Sequence, residues 1–147
     1  MCGLELVLWA AATPFVQWQE ASGMDQMLCR RGPDSQSTSR FVVGAQEGFI
    51  SSSVLHLRGK EVTPQPLCAV PMVASDGVPF VDGDFLSWNG EIFSGSVQVE
   101  EHENDGVALF LALQQRGDRS IPDVLSSIHG PFAFCYWEVS FPLVKAP

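Results

Sequence analysis

The sequence has little positive charge. It holds 8 Lys and Arg against 17 Asp and Glu, which gives a formal net charge of −9 over 147 residues. The basic residues form no cluster that would track nucleic-acid phosphates, so nucleic acid is not expected as a partner. The acidic balance favours solubility and carries no information about the fold.

Signals for membranes and secretion are also lacking. The apolar run over residues 6–12 is too short to span a bilayer. No Lys or Arg precedes it and Glu5 interrupts its start, which is unlike a signal peptide. We therefore expect this run to form a buried N-terminal strand. The protein is expected to be cytoplasmic and to have no membrane partner.

Metal-binding spacing is absent among the four cysteines, Cys2, Cys29, Cys68 and Cys135. No CxxC pair occurs, so a zinc ribbon is not supported and no metal site is expected. With 46% hydrophobic residues the chain is too long and too apolar to depend on disulfides. Reduced thiols are the simpler interpretation, and a secreted disulfide-bonded protein is the alternative.

The hydrophobic pattern predicts a single α+β domain, because a short first helix is followed by strands, two further helices and a returning strand. The predicted helices cover residues 22–30, 105–116 and 122–128, and the main predicted strands cover 41–43, 49–57, 85–88, 91–93 and 132–139. Asn104 or Asp105 is the expected cap of the second helix, Gly117 its terminator and Ser120 the cap of the third. Asn89-Gly90 is a strong signal for a β-hairpin turn.

The first indication of a catalytic function is the N-terminal sequence Met1-Cys2-Gly3. Removal of Met1 would leave Cys2 with a free α-amino group, whose ordinary pKa is about 7.7–8.0. One residue could then supply both a thiol nucleophile and a general base. A Met-Cys start also occurs by chance, so this feature gains weight only from other residues.

Those other residues suit attack on the side-chain amide of an amino acid. The Asn89 side chain and the Gly90 backbone N–H could stabilise the oxyanion, although a plain hairpin is the commoner use of this dipeptide. Arg58 could bind an α-carboxylate, and Asp105 could hold an α-ammonium group. Taken singly, each charged residue is more often a solvated surface residue or a helix cap.

Six motifs occur together in a characteristic order. They are Met1-Cys2-Gly3, Arg31-Gly32-Pro33-Asp34, Leu55-His56-Leu57-Arg58-Gly59, Leu86-Ser87-Trp88-Asn89-Gly90-Glu91-Ile92-Phe93, Glu103-Asn104-Asp105 and Gly130-Pro131-Phe132-Ala133-Phe134. In this order the sequence resembles class II glutamine amidotransferases, and most of all the glutaminase domain of asparagine synthetases. The resemblance covers residues 1 to about 138.

The resemblance implies a fold, a reaction and residue roles. The fold is the four-layer αββα sandwich of N-terminal-nucleophile hydrolases. Cys2 would attack the carboxamide of glutamine and release glutamate and ammonia, with Asn89 and Gly90 as the oxyanion hole. Arg58 would bind the carboxylate, and Asp105 the ammonium with help from Glu91. Residues 31–34 would be structural, shaping the loop over the site.

Two departures from the family pattern limit these expectations. No Ser-Gly-Gly-x-Asp-Ser loop for ATP pyrophosphate occurs, so no cofactor is expected in this chain; ATP and Mg would belong to a synthetase domain. After residue 138 the pattern is lost. We therefore predict an incomplete glutamine amidotransferase type 2 domain over 1–138, without its last strands, and a divergent tail over 139–147.

Two functions follow as alternatives. In the first, the chain hydrolyses glutamine for asparagine biosynthesis and passes ammonia to an asparagine-synthetase-like partner domain. In the second, it is a catalytically inactive truncated form that acts at most as a binding or structural domain.

Overall fold

The computed structural model describes residues 2–9, 23–43, 46–68, 71–73, 77, 79–81 and 83–139. The α+β class is confirmed. The strands are β1 (Gly3–Trp9), β2 (Ser35–Val43), β3 (Gln46–Val54), β4 (Leu67–Cys68), β5 (Pro71–Val73), β6 (Pro79–Val81), β7 (Phe85–Gly90), β8 (Ser94–Gly95), β9 (Ile128–His129) and β10 (Phe132–Trp137). The helices are α1 (Met24–Arg31), α2 (Asp105–Gln114) and α3 (Ile121–Leu125). Within these described segments, every helix is too short or too polar to cross a membrane.

The strands form two main sheets. The larger has the order β1-β3-β2-β6-β5, the smaller has the order β10-β7-β4, and β8 and β9 form a separate pair. In the larger sheet β1 pairs antiparallel with β3, with Gly3 opposite Ser53. This register places Cys2 at the start of β1, beside the point where β3 ends.

Strand β7 joins the two main sheets and the helices through its alternating faces. On one face, the Ser87 hydroxyl contacts the Ser52 hydroxyl of β3 at 2.8 Å, and the Phe85 ring lies 5.0 Å from that of Phe41 in β2. On the other face, Leu86 and Trp88 belong to a core cluster that includes residues of α2 and α3. Helix α1 contacts β1 and β3 of the larger sheet.

The caps of α2 and α3 are those that the sequence predicts, while α1 begins at Met24 and α3 ends at Leu125, three residues before its predicted end. The Asn104 side chain accepts hydrogen bonds from the Gly106 and Val107 N–H groups at 3.0 and 3.3 Å, which caps α2. Ser120 and Asp123 form a reciprocal capping box at the start of α3. These caps place Asp105 in the first turn of α2, where the helix dipole stabilises its negative charge.

The predicted hairpin at Asn89-Gly90 is wrong. Strand β7 continues through Gly90 and pairs with β10, with Asn89 opposite Ala133 and Gly90 opposite Phe132. Residues 91–93 form no strand. Gly90 has no positive φ, but a Cβ atom there would lie 2.4 Å from the Pro131 carbonyl oxygen. Glycine therefore allows a close backbone approach at this position and does not form a left-handed turn.

A second difference concerns the polar segment before residue 41. It was not predicted as a strand, yet β2 begins at Ser35 and pairs with β3 over nine residues. Polar side chains bridge the two strands, since the Thr38 and Ser51 hydroxyls lie 2.9 Å apart. Residues 10–12 of the apolar run and 140–147 of the tail lie outside the described residues, so the boundary at residue 138 stays a prediction.

Candidate active site

Six residues predicted from the sequence to form a site line one cavity of about 490 Å³. They are Cys2, Arg58, Asn89, Gly90, Glu91 and Asp105. They come from the start of β1, the segment after β3, the end of β7 and the start of α2. Because these elements belong to both main sheets and a helix, the fold brings together residues that are distant in sequence.

Cys2 is held at one side of this cavity. Its Sγ accepts a hydrogen bond from the Leu55 N–H at 3.4 Å and lies 3.7 Å from the Leu55 carbonyl oxygen. The Arg31 Nε donates to the Cys2 carbonyl oxygen at 3.4 Å. A Cβ atom at Gly3 would lie 2.8 Å from both the Leu28 and Ser53 side chains, so a larger residue after Cys2 would have to displace their ends.

The segment after β3 is fixed by the loop that follows α1. Asp34 accepts a hydrogen bond from the His56 N–H at 2.7 Å, and its own N–H donates to the Val54 carbonyl oxygen at 3.0 Å. Gly32 lies so close to the β3 backbone that a Cβ atom there would be 2.4 Å from the Val54 nitrogen. These contacts set the path of the chain toward Arg58.

Arg58 and Asp105 form an ion pair at the cavity, with Nη1 3.0 Å from Oδ1. The Asp105 side chain is 5% exposed and that of Arg58 is 34% exposed, so the cation is the more accessible partner. The other Asp105 oxygen accepts from the Ile92 N–H at 2.9 Å. Arg58 also donates to the carbonyl oxygens of Ile92 and Val99, both at 3.4 Å. The cavity wall thus presents adjacent positive and negative groups.

The end of β7 presents Asn89 and Gly90 to the cavity. On the edge of β7 that faces β10, the Glu91 N–H donates to the Pro131 carbonyl oxygen at 3.1 Å. Backbone N–H groups alternate between the two edges of a strand, so the Gly90 N–H points to the edge away from β10. On that same edge, the Gly90 carbonyl accepts from the Trp88 indole N–H at 3.2 Å. The Glu91 residue is exposed.

The sequence predicted no role for two further residues of this cavity. Gln65 is buried and forms hydrogen bonds with both backbone groups of Trp88. Phe132 is partly exposed, and its ring stacks on that of Trp88 at a centroid distance of 5.2 Å. A Gln beside a Pro in a loop carries no sequence signal that separates it from an ordinary structural residue. Phe132 belongs to the motif over residues 130–134, but the motif gave this residue no role of its own.

The other cysteines lie in different surroundings. Cys68 and Cys135 pack against the cluster that contains Phe41 and Phe85, and burial raises the pKa of both thiols. A raised thiol pKa lowers the fraction of reactive thiolate at neutral pH. Across the described parts of the chain, no three His, Cys, Asp or Glu residues are grouped closely enough to hold a metal ion.

The sequence matches no protein-family model, and no solved structure matches it. It is 35% identical over 144 residues to asparagine synthetase domain-containing protein 1 of Gallus gallus, a match that covers 95% of this chain and 20% of that protein. The same protein of Bos taurus is 35% identical over 79% of this chain, and that of Homo sapiens is 35% identical over 77%.

The matches to these two mammalian proteins cover 17% and 16% of their lengths. The chain therefore spans a fifth or less of the curated relatives that it matches. It is a homologue of asparagine synthetase domain-containing protein 1 over one segment of that protein.

Proposed function

We propose that this chain is a glutamine amidotransferase domain that hydrolyses glutamine to glutamate and ammonia, with Cys2 as the nucleophile. The observation that carries the proposal is that one cavity is lined by all of the required residues, Cys2, Asn89, Gly90, Arg58 and Asp105. A thiol, two candidate oxyanion donors and a pair of opposite charges are the groups that this reaction requires.

The Arg58–Asp105 pair supports an amino acid as the substrate. An α-amino acid carries an ammonium and a carboxylate on one carbon, so its receptor needs a cation and an anion side by side. The distance of 3.0 Å between these two side chains meets that need. Arg58 would bind the carboxylate. Asp105 would hold the ammonium, with the exposed Glu91 as a further carboxylate at the rim.

The reaction steps follow from these roles. With Met1 removed, the neutral α-amine of Cys2 takes the thiol proton, and the thiolate attacks the carboxamide carbon of glutamine. The carbonyl oxygen becomes negative and is stabilised by the Asn89 side chain and the Gly90 N–H. The C–N bond then breaks, and ammonia leaves with the proton from the amine. Water hydrolyses the remaining thioester, which gives glutamate and restores the thiol.

The proposal also includes the fold of N-terminal-nucleophile hydrolases. A four-layer αββα sandwich is supported by three sets of contacts: α1 on β1 and β3, the larger sheet on the smaller at Ser52 and Ser87, and α2 on β7.

The location and the partner are part of the proposal as well. The chain would be cytoplasmic, and an asparagine-synthetase-like domain would receive the ammonia. This partner is suggested by the name of the relatives.

The test is glutamine hydrolysis by the purified chain, with removal of Met1 verified by intact mass. Glutamate and ammonia should form in equal amounts. Cys2→Ala should abolish both, because Cys2 supplies the nucleophile in this mechanism. Cys135→Ala is the matched control and should keep the wild-type rate. A folded wild-type protein without Met1 that releases no ammonia would contradict the proposal, as would hydrolysis that survives in Cys2→Ala.

A further inference from the structure

Gln65 makes two hydrogen bonds that resemble those of a neighbouring strand. Its side-chain Nε2 donates to the Trp88 carbonyl oxygen at 2.9 Å, and its Oε1 accepts from the Trp88 N–H at 2.7 Å. The residue is 7% exposed, and its own carbonyl oxygen accepts from the Ser37 hydroxyl. One buried side chain therefore satisfies both backbone groups of a residue in β7.

These bonds occur where strand pairing stops. Strand β4 pairs with β7 at Phe85 and Leu86, and the pairing does not reach Trp88. Trp88 is 3% exposed, so its backbone groups would be buried and unsatisfied if the Gln65 amide were absent. Gln65 thus replaces a strand neighbour at the point where β7 enters the cavity.

The same edge of β7 carries the candidate oxyanion donor. N–H groups of residues two apart in a strand point to the same edge, so the Gly90 N–H follows the Trp88 N–H on the edge that Gln65 holds. On the other side Gly90 pairs with Phe132 of β10, and a Cβ atom at Gly90 would lie 2.4 Å from the Pro131 carbonyl oxygen, so this side is closely packed. The Gln65 amide on one edge and β10 on the other therefore fix the direction of the Gly90 N–H.

We propose that Gln65 is a positioning residue for the oxyanion hole: its amide aligns the end of β7 so that Asn89 and the Gly90 N–H meet the developing negative oxygen. This inference rests on the proposed glutaminase function. Gln65 acts through Trp88 and contributes little to substrate affinity, which comes from Arg58 and Asp105. Its loss should lower kcat and leave KM nearly unchanged.

The experiment compares steady-state glutamine hydrolysis by wild type, Gln65→Leu and Ser87→Ala. Gln65→Leu should lower kcat by about 10- to 100-fold, because small misplacements of catalytic groups have effects of this order. Ser87→Ala removes the buried hydrogen bond to Ser52 one residue from Trp88 and should destabilise the fold without changing kcat. Thermal unfolding is measured for all three proteins.

Gln65→Glu provides a rescue test. A protonated carboxyl group can donate to the Trp88 carbonyl and accept from the Trp88 N–H as the amide does, whereas a carboxylate cannot donate. The ratio of variant to wild-type kcat should therefore rise as the pH falls from about 8 to about 5, since burial raises the carboxyl pKa. The other ionisable residues of the cavity are the same in both proteins, so the effect of pH on them cancels in the ratio. These residues are Cys2, His56, Arg58, Glu91 and Asp105.

The outcomes separate this inference from the function on which it rests. An inactive wild type would contradict the glutaminase function. With an active wild type, an unchanged kcat in folded Gln65→Leu would overturn the positioning role. An equal loss of kcat in Ser87→Ala, or a pH-independent ratio for Gln65→Glu, would also overturn it.

Discussion

The two ends of the β7–β10 pair are stabilised in different ways. At the far end, formed by residues 85–87 and 135–137, aromatic rings fill the space between the sheets. The Phe85 ring lies 5.0 Å from that of Phe41 and 6.5 Å from that of Trp137, and Phe85 is fully buried. This aromatic cluster contributes stability through the burial of apolar surface.

At the site end, formed by residues 88–90 and 132–134, directed contacts fix the backbone. The Gln65 amide holds one edge of β7, and the close approach of Pro131 and Phe132 holds Gly90 from the other. Here the strand borders a cavity, and the Phe132 residue at its edge is 38% exposed. The comparison indicates that the far end supplies free energy of folding, while the site end supplies the geometry of hydrogen-bond donors.

The largest expected effect is on stability at the far end. Phe85→Ala should lower the free energy of unfolding by about 3–5 kcal/mol, because it removes a fully buried ring and leaves a cavity. Urea unfolding measures this loss, and kcat per folded molecule should stay at the wild-type value. A loss below about 1 kcal/mol would show that the far end can repack and is not the main source of stability.

Asn89→Ala is the corresponding change at the site end. We expect kcat to fall by about 10²- to 10³-fold, the usual effect of removing one oxyanion-hole donor, with thermal unfolding unchanged. Gln98→Ala is a control, since Gln98 is an exposed amide whose side chain bonds the nearby Gly95 carbonyl outside the cavity. An unchanged kcat in Asn89→Ala would mean that the oxyanion is stabilised elsewhere.

Arg58→Lys changes the substrate contact of the site end. Lysine keeps the positive charge but loses the fork that binds a carboxylate through two hydrogen bonds. We expect KM for glutamine to rise by about tenfold, with a smaller change in kcat, in steady-state kinetics. The matched control is Arg40→Lys, whose ion pair with Glu47 lies outside the cavity and whose KM should be unchanged.

The smallest expected effect is a pH dependence at the far end. Burial, followed by the nearby charges of Asp84 and Glu138, raises the pKa of Tyr136 to about 12. The ordinary tyrosine pKa is about 10, so the neutral phenol stabilises the fold below about pH 10 and this contribution is lost between about pH 10 and 12. Urea midpoints should fall less steeply over this range in Tyr136→Phe. Parallel pH profiles for the two proteins would contradict this role.

Local signals in the sequence predicted much of this structure. Asn104 and Ser120 cap helices because their side-chain oxygens accept from backbone N–H groups in the next turn. Motif order also identified Cys2, Arg58 and Asp105 as candidates, and all three line one cavity. Helix caps could be predicted because they depend on residues that are close together in the sequence. The site residues could be predicted because their motifs resemble those of a known family.

Long-range contacts explain what could not be predicted. Asn89-Gly90 has the composition of a turn, but its conformation is set by residues 131–133, more than forty positions away in the sequence. The role of Gln65 likewise depends on β4 ending its pairing before Trp88. Neither contact leaves a local pattern, because glycine and glutamine occur in loops and strand ends for many reasons.

The most direct test of the central claim is the site of covalent labelling by a glutamine analogue that carries a diazoketone in place of the carboxamide. The account predicts one label per chain, on Cys2 of molecules that lack Met1, as mapped by peptide mass spectrometry. Excess glutamine should block the label, and Cys29, Cys68 and Cys135 should stay unmodified. A label on another cysteine, or no label on a folded chain with Cys2 at its N-terminus, would contradict the account.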